Sequence, residues 1–380
     1  MDRRSFLRTS ALGLAAAAVY VEVPTLARAE ESGSLVPLSR RPPNYESVRS
    51  TFTTRITPLE KFYLRHHFDA ATVDARAWRL EVKGLVEKPL SLSLADLEAM
   101  PQTTVEAVLQ CAGNGRGLLD PRVPGVQWRF GAMGNARWTG VRLADVLARA
   151  QPREGAAFLR YLGAEKPTMT TTPPFVRAIP MAKALHPDTL LALKMNDRPL
   201  TSGHGAPARI AVPGWVADDW MKYVVELEVR ADEPPDFYYA TAYRYPTTPG
   251  APGAPIPADQ MKPMTTLPVK SLIGSLEPGQ VLRAGRREVV GVAFSGDRGI
   301  GRVDVSVDGG STWLETALEG PSTPYGFRVF RLPWKAGPGR HVVLSRATDG
   351  AGATQPASPV WNPSGYLYNA IDRVDVEVRS

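Results

Sequence analysis

The sequence predicts an α+β protein that is rich in β-strands and has two domains, the second of which is an immunoglobulin-like β-sandwich. Its length of 380 residues exceeds what a single hydrophobic core usually organises. The 35 prolines and 33 glycines favour strands joined by many turns over a helical bundle. Six prolines between residues 246 and 263 indicate a stiff connection, which we take as the domain boundary.

The N-terminus predicts an export signal. Arg3-Arg4 precedes an apolar run from Ala11 to Val21, and Ala27-Arg28-Ala29 offers a cleavage site between small residues. This pattern is typical of a twin-arginine signal peptide, so residues 1–29 are expected to be removed as the folded protein is exported to the periplasm. The run is too short to cross about 30 Å of hydrocarbon, and no later segment is long and apolar enough. We therefore expect no membrane span after signal removal.

The predicted first domain, residues 30–262, begins with a polar arm over residues 30–57 and continues with short strands and two helices. The first helix, over residues 94–100, is expected to stop at Pro101, because proline cannot continue a helix. The second, over residues 143–150, is amphipathic. Apolar and β-branched runs predict strands at residues 62–68, 78–82, 92–94, 103–110, 158–162, 190–195, 209–215 and 223–230.

The predicted second domain, residues 263–380, shows an all-β pattern. Short apolar runs predict strands at residues 289–294, 303–307, 328–332, 342–346 and 374–378. Asp308-Gly309-Gly310 predicts a hairpin turn after one of these strands. Several short strands separated by turns are typical of an immunoglobulin-like β-sandwich.

Cys111 is the only cysteine of the chain, and a glycine-rich turn, Gly113-Asn114-Gly115-Arg116-Gly117, follows it. A single cysteine in an exported protein cannot form an internal disulfide. A thiolate is a soft metal ligand, and glycines let a bulky group come close to the backbone. The residues alone leave four interpretations open: a buried structural thiol, an intermolecular bridge, a nucleophile or a metal ligand.

Several common functional classes find no support in the sequence. It contains no P-loop, no dinucleotide-binding fingerprint and no nucleophile elbow. One cysteine excludes a cysteine-rich zinc site, and the adjacent His66 and His67 would point to opposite faces of a strand. A Cys–His hydrolase with Cys111 as nucleophile lacks a local signature. The net charge of +7 comes without a basic run, so we expect no nucleic-acid partner.

Six motifs, separated along the chain and in the expected order, resemble the sulfite oxidase family of molybdopterin oxidoreductases. They lie at residues 64–68, 109–114, 136–140, 204–209, 214–223 and 361–365. The resemblance implies a sulfite oxidase-type molybdopterin-binding domain over residues 30–262, followed by an immunoglobulin-like β-sandwich over residues 263–380. The second domain is the dimerisation domain of the family, which implies a homodimer.

The resemblance also implies a molybdenum–molybdopterin cofactor (Moco), with the Cys111 thiolate as the protein ligand of the metal. Cofactor-binding roles are implied for His66, His67, His204, Arg209 and Lys222. The planar fork of an arginine and the point charge of a lysine both suit a phosphate. Glycines on both sides of His204 would give a ligand access to the backbone.

On the substrate side, the resemblance implies that Arg65 and Arg116 form an anion clamp beside the metal. Trp128 matches an active-site tryptophan, although a position in the core is an equally open interpretation. A family tyrosine near the reactive oxygen aligns best with Tyr243. A shift of register would instead select Tyr238, Tyr239 or Tyr245.

The chain departs from animal members of the family at two positions, Gly115 and Ser364, where those members carry arginines. The pocket is therefore expected to be less positive than theirs. The sequence contains no His-Pro-Gly-Gly segment and no C-x-x-C-H motif, so no haem is expected in this chain. Electrons would then leave to an external c-type cytochrome or haem subunit.

Together these features predict a periplasmic, molybdenum-dependent enzyme that oxidises sulfite to sulfate. Within the same superfamily, oxidation of a bound sulfane sulfur or reduction of a sulfoxide is an alternative function. A non-catalytic exported binding protein with a β-sandwich is an alternative of another class. Its metal content would distinguish it, because a binding protein would carry no molybdenum.

Overall fold

A computed structural model describes residues 33–380 except residue 253. The predicted signal peptide, residues 1–29, lies outside the described residues. In the described part the chain forms strands β1 to β24 and the short helices α1 to α4. None of these helices is long and apolar enough to cross a membrane. The predicted α+β, β-rich fold class is confirmed.

The elements of the first domain are short. Its strands are β1 (Leu35–Arg40), β2 (Pro43–Ser47), β3 (Leu64–Arg65), β4 (Leu80–Gly84), β5 (Leu90–Leu92), β6 (Gln102–Gln110), β7 (Met133–Arg142), β8 (Phe158–Gly163), β9 (Val176–Pro180), β10 (Leu190–Met195), β11 (Arg198–Pro199), β12 (Arg209–Ala211) and β13 (Val224–Arg230). Its helices are α1 (Leu94–Glu98), α2 (Leu143–Ala150), α3 (Met181–Ala184) and α4 (Phe237–Ala240).

The strands of the first domain form three sheets next to one large hydrophobic core. One sheet has the order β1-β2-β3, and another has the order β11-β10-β7-β6 with β12 also paired to β10. The third has the order β5-β4-β13-β8-β9, in which β4 and β13 run parallel. Although β3 is only two residues long, its pairing with β2 places Arg65 opposite Asn44. This pairing fixes the backbone that carries Arg65.

The amphipathic helix predicted over residues 143–150 is confirmed as α2. Leu143, Val146, Leu147 and Ala150 are its buried residues, at the i, i+3, i+4 and i+7 spacing of one helix face. The helix predicted before Pro101 is confirmed as α1, which ends at Glu98. Helical periodicity is therefore a sound guide in this domain.

Some segments of the first domain differ from the predicted elements. Neither β7 nor β9 is predicted from the sequence. β7 contains two glycines and is buried along most of its length, so it lacks the alternation of a half-buried strand. The predicted polar arm forms the β1–β2 hairpin, and the strand predicted over residues 62–68 is limited to β3. Pairing with neighbouring strands decides these segments, and a single sequence does not reveal it.

The second domain is a two-sheet sandwich, as predicted. β14 (Arg244–Pro246) and β15 (Met261–Pro263) pair at the two ends of the proline-rich stretch. The strands that follow are β16 (Lys270–Ile273), β17 (Val281–Arg283), β18 (Gly285–Phe294), β19 (Ile300–Ser306), β20 (Leu314–Glu315), β21 (Ala317–Glu319), β22 (Arg328–Ala336), β23 (Gly339–Asp349) and β24 (Asp372–Arg379). Their sheets, β16-β18-β22-β21 and β17-β24-β23-β19-β20, share a hydrophobic core.

The hairpin predicted at residues 308–310 is confirmed, because β19 and β20 pair in antiparallel fashion around it. Gly309 and Gly310 have φ angles of +72° and +96°, a region that favours glycine. The Asp308 carboxylate accepts hydrogen bonds from the backbone N–H and the hydroxyl of Thr312, at 2.9 and 2.6 Å. The turn is thus specified by its own residues.

Contacts between the two domains lie close to Cys111. A hydrophobic cluster between the domains contains Ala112 from the first and Phe327 from the second. The Leu367 N–H donates to the Ala112 carbonyl oxygen at 2.9 Å. Arg49 and Asp372 form a buried ion pair of 2.7 Å across the interface. The second domain therefore packs directly behind the loop that carries Cys111.

Candidate functional site

One cavity brings together most of the predicted site residues. It contains about 650 Å³ of empty space, part of which is open to solvent. Its lining residues are Tyr63, Arg65, His67, Leu109, Cys111, Glu165, Phe175, Gly203, His204, Arg209, Ala217, Asp218, Trp220, Met221, Lys222 and Tyr243. Seven of the ten predicted site residues are among them, and the other three, His66, Arg116 and Trp128, are not.

Cys111 stands at the end of β6, where the strand leads into the glycine-rich turn. Its N–H donates to the carbonyl oxygen of Ala132, and its own carbonyl accepts from the N–H of Asn114, both at 3.0 Å. The Asn114 amide donates to Oε1 of Gln110 at 3.0 Å and accepts from the N–H of Ala132 at 3.1 Å. These bonds fix the turn and hold the thiol at the cavity wall.

The charges around Cys111 act on its thiol in opposite directions. Burial raises the pKa of the thiol, and the nearby Asp218 carboxyl raises it further. The guanidinium groups of Arg65 and Arg116 lower it, but by less. The thiol alone is therefore neutral at pH 7. A bound metal ion reverses this balance, because a coordinating thiol is deprotonated outright.

Arg209 is a buried cation without an acidic partner among the described residues. Its Nη1 donates to the carbonyl oxygen of His204 at 3.1 Å and its Nη2 to that of Trp220 at 2.9 Å. Its Nε is buried and has no hydrogen-bond partner in the described part of the chain. Burial lowers the pKa of Arg209 to about 10, which reflects the cost of desolvating an unpaired charge. An anionic ligand with planar or tetrahedral oxygens would relieve that cost.

The His204 ring adds a second unsatisfied atom beside Arg209. Its Nδ1 lies 2.8 Å from the hydroxyl of Thr201, whereas its buried Nε2 has no hydrogen-bond partner among the described residues. Burial and the charge of Arg209 lower the pKa of His204 to about 3, so the ring is neutral. Gly205 has a φ angle of +100°, and a Cβ there would lie 2.8 Å from the Cβ of Lys222. Glycine thus allows these two segments to meet.

Lys222 and Glu165 form a charged pair on the cavity wall, with His66 behind it. Lys222 Nζ lies 3.4 Å from Oε1 of Glu165 and donates to the carbonyl oxygen of Gly203 at 3.3 Å. His66 Nδ1 lies 3.0 Å from Lys222 Nζ and 3.3 Å from Oε1 of Glu165. Burial and Lys222 lower the pKa of His66 to about 4. His66 contacts two lining residues and is not itself among them, so its predicted cofactor-binding role stays a prediction.

Arg65, His67 and Tyr243 meet on another side of the cavity. Arg65 donates to the carbonyl oxygen of His66, and its Nη2 lies 3.4 Å from Nε2 of His67. The Tyr243 hydroxyl lies 2.7 Å from the same Nε2. The His67 ring stacks on Phe175 with 4.1 Å between ring centroids. We define the cysteine end of the cavity as Cys111, Arg65, His67, Asp218 and Tyr243.

Tyr243 is held in an unusual backbone conformation by contacts from both domains. Its φ angle of +53° is rare for a residue other than glycine. Its ring stacks on Tyr366 of the second domain, with centroids 5.6 Å apart, and Arg177 lies 5.3 Å from its centroid. The other tyrosines of this region do not line the cavity: Tyr238, Tyr239 and Tyr245. Of these four tyrosines, Tyr243 is the one that lines the cavity, and its place near the reactive oxygen stays a prediction.

Arg116 and Trp128 are not among the residues that line the cavity, so their predicted contact with substrate stays a prediction. Arg116 donates from Nε to the carbonyl oxygen of Ser364 at 2.9 Å and from Nη1 to that of Val126 at 3.3 Å. It therefore links the Cys111 turn to the second domain. Trp128 is fully buried and packs edge-on against Tyr63, with 6.3 Å between ring centroids. Of its two interpretations, the core position fits the structure.

Gly115 has a structural reason to be glycine. Its φ angle is +100°, and a Cβ at this position would lie 2.5 Å from the Cβ of Tyr368. An arginine could not occupy the position without displacing the Tyr368 side chain. At the position where animal members of the family carry an arginine, this chain thus has a glycine against which Tyr368 of the second domain packs.

Two acidic residues of the cavity, Glu165 and Asp218, are not predicted by the sequence. Glu165 follows β8 in a segment without a recognisable motif. Asp218 lies within the motif at residues 214–223. Because Asp219 is adjacent to it, only the structure separates the roles of the two residues. Asp219 pairs with Arg177 at 2.7 Å, whereas Asp218 lines the cavity. Burial raises the pKa of Asp218 to about 7.

The chemistry of the lining residues suits a large anionic cofactor that brings its own metal ligands. The described residues contain no group of three or more His, Cys, Asp or Glu side chains that could hold a metal ion alone. A metal bound by Cys111 would therefore need further ligands from a cofactor. Arg209 and His204 offer buried atoms without partners for such a molecule, so the residues fit a cofactor with an anionic group at one end.

Comparison with known proteins identifies both domains. Residues 67–238 match the oxidoreductase molybdopterin binding domain. Residues 261–379 match the Mo-co oxidoreductase dimerisation domain. In the first match the described cofactor is molybdopterin, which agrees with the predicted Moco. The sandwich predicted for the second domain corresponds to the second match.

Several relatives are similar over nearly the whole chain. The chain is 35% identical to mitochondrial sulfite oxidase of Mus musculus over 358 residues, which cover 90% of this chain but 65% of that protein. It thus spans about 65% of the length of the mammalian relatives. Sulfite oxidase of Arabidopsis thaliana is 31% identical over 364 residues, covering 88% of this chain and 92% of that protein.

A solved structure shows the same arrangement of the two domains. The crystal structure of the sulfane dehydrogenase SoxCD from Paracoccus pantotrophus has a TM-score of 0.79 and 28% sequence identity. The match covers 97% of this chain and 94% of that chain. With the domain matches, the relatives and the placement of Cys111 taken together, the chain belongs to the sulfite oxidase family of molybdopterin oxidoreductases.

Proposed function

We propose that this chain is a molybdenum-dependent sulfite dehydrogenase. Sulfite and water would yield sulfate, two protons and two electrons, and the electrons would pass singly to an external c-type cytochrome. The observation that carries the proposal is the placement of Cys111 in a buried cavity beside the Arg65 guanidinium. That pairing puts a thiolate ligand for the metal next to a cation for an anionic substrate. The likeness to sulfite oxidases supports the choice of substrate.

When bound, the molybdenum cofactor would supply oxygen-atom transfer and the two-electron redox step. Cys111 would hold the metal, and Arg209, His204 and Lys222 would bind the anionic part of the pterin. Arg65 would bind and orient the substrate anion through its planar fork. The fixed Tyr243 hydroxyl would donate a hydrogen bond at the reacting side, with no reorganisation needed as charge develops there.

A second function is favoured by one specific observation. The solved structure that matches both domains is a sulfane dehydrogenase, and it covers nearly the whole of this chain. Oxidation of a sulfane sulfur would use the same cofactor and the same cysteine. It would require less positive charge around the substrate, which agrees with glycine at position 115 and serine at position 364.

Purified, molybdenum-loaded protein tests the proposed function. Sulfite-dependent reduction of cytochrome c is expected, at a rate that scales with the molybdenum content of the preparation. Absence of turnover at near-stoichiometric molybdenum would reject sulfite as the substrate. A thiosulfate or persulfide substrate should then be assayed in its place. Protein that never acquires molybdenum would instead support a binding function.

Location and assembly are part of the same proposal. The Arg3-Arg4 pattern supports periplasmic export, and the match of residues 261–379 to a dimerisation domain supports a homodimer. N-terminal sequencing of protein from the periplasmic fraction tests whether cleavage follows Ala29. Light scattering on the purified holoenzyme tests the dimer. A monomer at micromolar concentration would contradict the role of the second domain.

Substitution of Tyr243 by phenylalanine is expected to lower the turnover rate about fivefold. The change removes only the hydroxyl that lies 2.7 Å from Nε2 of His67, and one such hydrogen bond is worth about 1 kcal/mol. Steady-state kinetics with sulfite measures the effect. Tyr245→Phe is the control, since the Tyr245 hydroxyl forms no side-chain hydrogen bond among the described residues. Equal losses in both variants would argue against a specific role for Tyr243.

Substitution of Arg209 by methionine is expected to reduce the cofactor content of the purified protein at least about tenfold. Arg209 is the buried cation that an anionic group of the cofactor would neutralise. Methionine also removes the unpaired charge, so the empty protein should be as stable as the parent or more stable. Pterin fluorescence after denaturation and thermal unfolding measure the two effects. Full cofactor content in the variant would contradict the assignment.

A further inference from the structure

Asp218 places a buried, unsatisfied carboxylate oxygen in the cavity. The side chain is 7% exposed and belongs to the 3-10 turn Ala217–Asp219. Its Oδ2 has no hydrogen-bond partner among the described residues, and the residue lines the cavity. The backbone N–H of Ala112 donates a hydrogen bond to this carboxyl group. A buried carboxylate oxygen that has no partner is still costly, so its retention needs a reason other than stability.

The neighbours of Asp218 locate it at the reacting side of the cavity. Its charge acts on the thiol of Cys111 and on the hydroxyls of Tyr243 and Tyr366. In turn, the cation Arg65 acts on Asp218. The Asp218 carboxylate therefore lies where it would repel an anion that Arg65 binds beside Cys111.

Few cations compensate for Asp218 at this end. Arg177 acts on it but is already paired with Asp219 at 2.7 Å. Arg116 lies outside the cavity and donates to backbone carbonyl oxygens. Arg65 is the one cation that lines the cysteine end of the cavity, within the part of the chain that the structure describes. The residues that line this end thus carry one cation and one carboxylate. Arg116 adds an effect on Cys111 from outside the lining that is no larger than that of Arg65.

We infer that Asp218 determines the charge of the substrate, and that it makes the cysteine end select a monoanionic or neutral sulfur group over a fully deprotonated dianion. This inference rests on the proposed oxidation of a sulfur compound and names the form that is bound. For sulfite, that form is hydrogensulfite. A neutral or singly charged sulfane group meets the same requirement.

Coulomb's law sets the expected size of the selection. The energy between Asp218 and a bound anion is proportional to the charge of the anion. If removal of the carboxylate charge raises the affinity for a monoanion by a given factor, it should raise the affinity for a dianion of the same shape by the square of that factor. Sulfate and perchlorate form such a pair, because both are tetrahedral oxyanions and they differ by one charge.

The test measures the binding of these two anions to the oxidised, molybdenum-loaded enzyme by calorimetry at pH 8.5. In Asp218→Asn, which keeps the shape of the side chain, sulfate should bind at least about tenfold tighter than in the parent and perchlorate about threefold tighter. The exposed Asp232 provides the matched control: Asp232→Asn changes the net charge equally and should leave both affinities unchanged.

Two outcomes would overturn the inference. Equal sulfate affinities in Asp218→Asn and the parent would mean that the carboxylate does not act on the bound anion. Loss of molybdenum and pterin from Asp218→Asn, with full retention in Asp218→Glu, would mean that Asp218 binds the cofactor instead. Anion binding is measured without turnover. A parent enzyme that fails to oxidise sulfite would reject the proposed function and leave the charge selection to be decided by calorimetry.

Discussion

Cys111→Ser is expected to lower sulfite turnover by more than about 100-fold. Loss of a group that only supports a metal ligand already costs about 10- to 100-fold, and Cys111 is assigned as the ligand itself. A serine hydroxyl is a hard donor with a far higher pKa than a thiol, so it replaces the thiolate poorly. Turnover per bound molybdenum and the visible spectrum of the oxidised enzyme measure the effect.

The fold of Cys111→Ser should remain intact. Serine is close to cysteine in volume, and the turn around residue 111 is held by backbone bonds and by Asn114 rather than by the thiol. The free energy of unfolding of the empty protein should change by no more than about 1 kcal/mol. Near-normal turnover and an unchanged spectrum in this variant would disprove the ligand assignment.

Arg65→Met is expected to lower kcat/KM for sulfite about 100- to 1,000-fold. Arg65 is the cation that lines the cysteine end in the described chain, and removal of one charged donor at a reacting anion costs this much. Because the guanidinium would bind the substrate anion and would also stabilise the charge that develops in the transition state, KM should rise and kcat should fall. Steady-state kinetics over a wide range of sulfite concentration separates the two.

Two further variants make the Arg65 experiment specific. Arg65→Lys keeps the charge but loses the planar fork, and it should retain part of the activity lost in Arg65→Met. Arg122→Met removes a charge from an exposed position and should behave like the parent. If Arg122→Met lost as much activity as Arg65→Met, the effect would come from overall charge and not from a clamp.

Elements with a strong local pattern could be predicted from the sequence. The spacing of apolar residues in α2 and the Asp-Gly-Gly turn after β19 each carry their own signal, and both are confirmed. β7 and β9 carry no such signal because both are buried along most of their length and lack the alternation of a half-buried strand. Their existence depends on partners that are distant in sequence.

The same distinction, between a local sequence signal and a contact with a distant residue, explains which site residues could be predicted. Cys111, Arg65 and Tyr243 lie in motifs that the family resemblance covers, and the structure brings them to one cavity. Asp218 could not be singled out, because its role differs from that of Asp219 only through the partner of each carboxylate. The resemblance also points to Arg116, whose Nε and Nη1 donate to the carbonyl oxygens of Ser364 and Val126, and no sequence pattern indicates these contacts.

The unpaired guanidinium of Arg209 couples the cofactor to the stability of the whole first domain. Burial without a counter-ion is an electrostatic penalty that the empty protein carries in its native state alone, since an unfolded chain exposes the same group to water. A ligand that binds only the native state adds RT ln(1 + [L]/Kd) to the free energy of unfolding. The cofactor is then a folding ligand as well as a redox group. A transport route that accepts only folded proteins would, by this linkage, carry the loaded form in preference to the empty one.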